Sequence, residues 1–178
     1  MRFEPLASAV LLLLAACDLA EDRSPMKEGE WLKFGGSWTA TGTRRSLGLG
    51  QDHHAAIFDL SGSLLLTGAR RPAVGFKAQA IGFSDSLAGM QGRAVWTDER
   101  GEQVYSELTG ETVGSGNRIV GTITGGTGRY AGASGEYGFE WQYVVEAEDG
   151  TVSGRTVDLE GRARVAQMPN SNSGSPPR

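Results

Sequence analysis

The chain has 178 residues, with 17 Lys and Arg against 21 Asp and Glu and a formal net charge of −4. That mild acidity offers no electrostatic footprint for nucleic acid, so no partner of that class is expected. The length suits one domain with a proper core, and no segment beyond the leader has the ~20 apolar residues of a spanning helix.

At the start, Arg2 gives a weakly positive lead that Glu4 partly cancels, and Leu6 to Ala16 are apolar except for Ser8. The run is too short to cross a bilayer but suits the apolar region of an export signal. Leu14-Ala15-Ala16-Cys17 follows, with small residues fitted to a narrow peptidase groove and a cysteine directly after them. The segment resembles the lipobox of bacterial lipoproteins. The resemblance implies cleavage before Cys17, a diacylglyceryl group on its thiol and, often, acylation of the new amine. Cys17 is the only cysteine, so it has no partner for an internal disulfide in an oxidising compartment. Lipidation gives the thiol a use, and each buried CH₂ of an acyl chain contributes about 0.8 kcal/mol to membrane attachment. The competing reading is a plain secretory leader, or a buried apolar helix, with an incidental Cys17. The location implied by the resemblance is the cell envelope, anchored to the inner or outer membrane and facing the periplasm.

After a leader at 1–16, residues 17–33 are polar and broken by Ser24-Pro25 and Gly29. They read as a lipidated tether. A domain is expected over 34–166, followed by a disordered tail over 167–178 that has almost nothing to bury. Within the domain the pattern is β throughout. Tyr137, Phe139, Trp141 and Tyr143 alternate with Glu136, Gly138, Glu140 and Gln142, the period of a half-buried strand. Val157, Leu159, Ala163 and Val165 share the parity expected of the next inward face. Asp149-Gly150 marks a tight turn between them, and Asp98-Glu99-Arg100-Gly101 a second one. Eight strands are predicted near 36–43, 54–66, 74–84, 91–98, 102–113, 117–125, 136–148 and 151–165. Hairpin-linked strands in this number predict an all-β, eight-stranded antiparallel up-and-down barrel, because closure removes exposed edges. A two-sheet sandwich is the main competitor. Outward Glu, Arg, Asp and Lys argue against an outer-membrane barrel.

The stretch Gly121-Thr122-Ile123-Thr124-Gly125-Gly126-Thr127-Gly128-Arg129-Tyr130-Ala131-Gly132-Ala133-Ser134-Gly135 is the most specific internal feature. It is not a phosphate loop, since no Lys-Ser/Thr pair and no helix follow it. It reads as a tight connection between strands in which Gly125, Gly126 and Gly128 permit positive φ and Tyr130 plugs the barrel end. Gly132 belongs to the same turn. The stretch resembles the Gly-Gly-Thr-Gly-x-aromatic-x-Gly-Ala-x-Gly segment of allene oxide cyclase-like and dirigent-like proteins. The resemblance implies an eight-stranded, often trimeric barrel enclosing a cavity for a small apolar molecule, with no metal and no organic cofactor. It also implies catalysis, if any, by steering a reactive molecule into one folded shape. The catalytic residues of those families match no positions here.

Candidate side chains follow from parity. Asp59 faces an apolar cavity only if Ile57 points inward with it, where burial would raise its pKa and suit it to acid–base work. Inward Phe58 and Leu60 bury more apolar surface and leave Asp59 solvated, the preferred expectation. Tyr105 and Glu107 share a parity and could present a hydroxyl and a carboxylate together, yet Val104 and Leu108 on the other parity look more like core. Trp96, Phe139, Trp141 and Tyr143 are expected to line the interior, either as core or against a ligand. His53 and His54 are the only histidines. Even with Asp52 in a loop, no third His or free Cys completes a metal set, so no metal site is expected. No Gly-x-Ser-x-Gly elbow is present, and lipidated Cys17 leaves no free thiol for covalent catalysis. Two functions remain. One is a lipid-anchored barrel that binds a small apolar molecule, with or without cyclase-like isomerisation. The other is a non-catalytic envelope protein whose filled barrel supports a partner or its own oligomer. Small interior residues such as Ala78, Ala80 and Gly121 would leave room for the first.

Overall fold

Alternation of inward apolar and outward polar side chains forces most of this chain into strands, and closing them removes every sheet edge. A computed structural model describes residues 29–68, 71–111 and 118–165. The leader, Cys17 and the predicted tail at 167–178 lie outside the described residues. The strands are β1 (Leu32–Gly48), β2 (His54–Gly68), β3 (Arg71–Asp85), β4 (Gly89–Thr97), β5 (Gln103–Gly110), β6 (Arg118–Gly126), β7 (Ser134–Glu146) and β8 (Thr151–Arg164). Each pairs antiparallel with its neighbour in sequence, and β1 pairs with β8 to close an up-and-down barrel. A short 3₁₀ turn, Gly128–Tyr130, joins β6 to β7. The sandwich alternative is thereby excluded.

β1 is longer than its pattern suggested. Its ladder begins at Leu32, inside the stretch expected to be tether, and runs to Gly48 against β2. β8 differs in another way. Val152, Gly154 and Thr156 face inward before Asp158, and Leu159 faces inward after it. The pairing with β7 shifts register between Gly138 and Glu140, and Asp158 adopts a φ of 51°. An extra residue in one strand flips the parity that follows it. Val157 therefore does not share a face with Leu159, as a strict period of two would require.

The inward row crossing the middle strands reads Phe58, Gly82, Gly92, Leu108, Gly121, Tyr137, Gly161, Phe34 in direct cross-strand register. Large and small residues largely alternate around the wall, which lets bulky rings from one strand fill space left by the next. The barrel has two distinct ends. β1 starts and β8 finishes at the entry end, together with the β4–β5 turn and the 3₁₀ turn. The β1–β2, β3–β4, β5–β6 and β7–β8 connections lie at the far end.

Candidate functional site

The interior is the natural place to look for a site, and aromatic side chains fill it. Ring contacts run from the far end to the entry end. Tyr143 meets Trp141 at 6.0 Å, Trp141 meets Trp38 at 5.1 Å, and Trp38 meets Phe139 at 6.5 Å. Phe139 stacks on Tyr137 at 6.1 Å, Tyr137 meets Trp96 at 4.9 Å, and Trp96 meets Phe76 at 6.1 Å. Phe76 reaches Tyr130 at 5.9 Å. Offset and edge contacts at such distances contribute beyond area burial alone. Of the four predicted lining residues, Trp96, Phe139 and Trp141 are buried and Tyr143 is partly buried.

Glycines serve these rings as sockets. A Cβ at Gly121 would fall 2.0 Å from Cζ of Tyr137, one at Gly154 2.5 Å from Cζ2 of Trp141, and one at Gly82 2.5 Å from Cζ of Phe58. The space at Gly121, expected to help a ligand, is thus occupied by the ring of its cross-strand neighbour. The Tyr137 hydroxyl lies 2.8 Å from Ser106 Oγ, and both residues are buried. Burial pushes the Tyr137 phenol up to about 12, and the bond with Ser106 offsets part of that rise.

Two voids remain. One of about 20 Å³ is lined by Trp38, Ala78, Ala80, Ala94, Trp96 and Tyr137 among others. The second, about 10 Å³, lies beside Trp38, Phe58, Met90, Ile119 and Trp141. A single water needs roughly 10–15 Å³, whereas drug-sized ligands occupy pockets of about 300–1,000 Å³. The indole N–H groups of Trp38 and Trp141 are buried with no hydrogen-bond partner among the described residues. The Tyr143 hydroxyl is likewise buried without a partner among the described residues, so the ring ladder carries three unsatisfied polar groups.

The glycine-rich connection closes the entry end. Its strongest link is to the β4–β5 turn, where the Asp98 side chain is only 1 % exposed and pairs with the Arg129 guanidinium. Asp98 Oδ1 also accepts the backbone N–H groups of Arg100 and Glu102 at 2.8 and 3.0 Å. Burial alone would raise the Asp98 carboxyl, but the bonds from Arg129, Arg100 and Glu102 outweigh it and hold it at about 2. Arg129 also lies 3.3 Å from Glu102 and 5.2 Å over the Tyr130 ring, fixing that ring against Phe76. Gly128 has a φ of +52°, Gly132 of +70° and Gly125 of +154°. Gly126 does not have positive φ. Its requirement is close approach, since a Cβ there would sit 2.4 Å from the Gln103 carbonyl and 2.7 Å from Tyr130.

The catalytic candidates are not brought together. Phe58 and Leu60 are buried, so Asp59 lies on the outer wall. Val104 and Leu108 are buried, which leaves Glu107 outside in an exposed ion pair with Arg93 at 3.1 Å. The Tyr105 hydroxyl donates to Gln103 Oε1 at 2.9 Å. Asp59 is on β2 while Tyr105 and Glu107 are on β5. His53 Nε2 sits 3.0 Å from Asp85 Oδ2. The bond from His53, with backbone N–H groups of Leu87 and Ala88, holds the Asp85 carboxyl at about 2. Among the described residues no three His, Cys, Asp or Glu side chains are grouped to hold a metal ion.

Several residues escaped the sequence reading. Trp38 lies at the centre of the ring ladder, and its parity with Ala40 and Gly42 was the available signal. The Asp98–Arg129 pair joins positions 31 residues apart, and nothing local announces it. Comparison of the chain with protein-family models, with curated proteins and with solved structures gives no match.

Proposed function

We propose that this chain is a lipid-anchored protein of the cell envelope whose barrel is a filled, non-catalytic scaffold working through its outer wall. The filled interior carries the reading. Voids of about 20 and 10 Å³ hold water-sized contents, and the carboxylates and hydroxyls weighed for catalysis face outward or serve packing. The outer wall offers contact chemistry instead. Ile57 and Phe83 are direct cross-strand partners, Ile81 lies two residues along β3, and all three are exposed. Such a cluster suits a protein partner or further copies of the chain. The trimer implied by the barrel resemblance belongs to this reading as one such assembly. Anchoring rests on Leu14-Ala15-Ala16-Cys17 and on the absence of a second cysteine.

A second reading is capture of a small apolar molecule bearing one acceptor group, with or without cyclase-like steering. The unpartnered indole N–H groups of Trp38 and Trp141 favour it, although the ring ladder would have to open. One experiment tests both. Native mass spectrometry of the protein extracted from membranes reads acyl mass, retained ligand and assembly size together. The expected spectrum shows acylated Cys17 and no further small-molecule mass. A stoichiometric apolar ligand would sink the scaffold reading, and an unmodified Cys17 would sink the anchor.

A further inference from the structure

The wall of the barrel at the entry end carries an arrangement that packing does not require. Trp31 precedes β1, is 44 % exposed, and has the guanidinium groups of Arg162 and Arg164 at 5.1 and 4.9 Å from its ring. Lys33 is the cross-strand partner of Arg162 and is also exposed. Both arginines are held in place, Arg162 by Glu136 Oε1 at 2.6 Å and Arg164 by Ser134 Oγ at 3.2 Å. The Glu136 carboxylate offsets the charge of Arg162, whereas Arg164 is held by a neutral hydroxyl. An exposed indole amid three cations has the composition of a membrane–water interface, where aromatic rings lie among headgroups and basic side chains meet phosphates. The far-end turn between β7 and β8 carries Glu146, Glu148 and Asp149, of which Glu146 is paired with Arg44.

We propose that Trp31, Lys33, Arg162 and Arg164 form a docking surface for an anionic bilayer, seating the barrel on its membrane by the end where the chain enters. The inference rests on the lipid anchor at Cys17 and adds an orientation to it. Fourteen positions separate Cys17 from Trp31, so the chain between them keeps the patch within at most about 50 Å of the anchor. At such tether lengths the effective concentration is of millimolar order, and a contact too weak to recruit a free protein holds an anchored one. Each basic side chain near an anionic surface strengthens binding roughly fivefold, so Lys33 and Arg164 supply about twenty-fivefold, while the charge of Arg162 is offset by Glu136. The far end then faces the periplasmic space.

The test uses the intact lipidated protein in two kinds of vesicle, phosphatidylcholine alone and equal parts phosphatidylcholine and phosphatidylglycerol. In both, a bromine near the headgroup end of the acyl chains quenches nearby indoles. Trp38, Trp96 and Trp141 are enclosed in the barrel, so quenching reports Trp31. The expected result is quenching in the anionic vesicles, at least threefold weaker in the neutral ones, abolished by Trp31→Phe and reduced by Lys33→Gln with Arg164→Gln. Unchanged emission from the three interior indoles confirms that each variant is folded. Retention on the vesicles without Trp31-dependent quenching would overturn the docking surface and leave the anchor standing, and so would equal quenching in both compositions. Loss of the protein from both vesicles would overturn the anchor, and the seating with it.

Discussion

Gly121→Ala adds one methyl group where the structure has none to spare. The new Cβ would lie 2.0, 2.3 and 2.5 Å from three carbons of the Tyr137 ring. Restoring ordinary contact at 3.4 Å requires the ring to retreat by about 1.4 Å. Phe139 stacks on that ring with an interplanar angle of 11°, Trp96 lies 4.9 Å away, and the hydroxyl is fixed to Ser106 at 2.8 Å. A retreat of that size breaks the bond to Ser106 and pushes on two more rings. Overpacking costs about 1–3 kcal/mol and the lost hydrogen bond about 1 kcal/mol. Replacing a strand glycine returns roughly 0.5–1 kcal/mol, so the net loss is about 2 kcal/mol. For a domain of this size, that loss lowers Tm by about 4–8 °C. Gly138→Ala is the control, because its Cβ meets only the end of the half-exposed Arg118 side chain, which can swing away. It should stay within about 0.5 kcal/mol of the parent. Urea denaturation followed by near-ultraviolet circular dichroism measures both. A Gly121→Ala variant as stable as the parent would refute the socket, as would an equal loss from Gly138→Ala.

Two further predictions concern pH. The Asp98 carboxyl titrates at about 2 in the fold against 3.8 unperturbed, so its stabilisation is complete above about pH 4 and lost as pH falls toward 2. Thermal melts across that window should show a steep decline in the parent and a flatter one in Asp98→Asn, and parallel curves would contradict the assignment. The Tyr137 phenol is raised to about 12 from 10.0, the opposite sign: its contribution is intact below pH 10 and disappears as pH rises through 12. That burial places about 3 kcal/mol on the alkaline limb. Tyr137→Phe should remove that limb at the cost of one hydrogen bond, and an unchanged alkaline midpoint would show that the phenol is not enclosed.

Strand number and antiparallel order were legible because turn signals and alternation recur along the chain, and closure follows from the cost of bare edges. The ends of β1 were not. Leu32 and Lys33 carry no period of their own and become strand only by pairing with Ala163 and Arg162. Parity on β8 was misread for a local reason, since an extra residue at Asp158 reverses which side chains face inward. The glycine-rich turn was legible as a plug, through Tyr130, but its fastening to Asp98 depends on a contact between two turns that only the closed barrel brings together.

The question of cavity or core could not be decided from residue size. A small inward residue leaves space only when the side chain opposite is also small, and that depends on register. Ala78 pairs with Gly62 and Trp96, and Gly121 with Leu108 and Tyr137. In each row a bulky neighbour takes up what the small residue leaves, so a glycine count that suggests room also describes a barrel packed with rings. Filling has a consequence for function. A wall braced from inside by Trp38, Trp96 and Trp141 holds its backbone in place, which lowers the ordering cost of a contact made through it. The same ring packing backs the strands that carry Ile57, Ile81 and Phe83, the exposed apolar cluster of the outer wall.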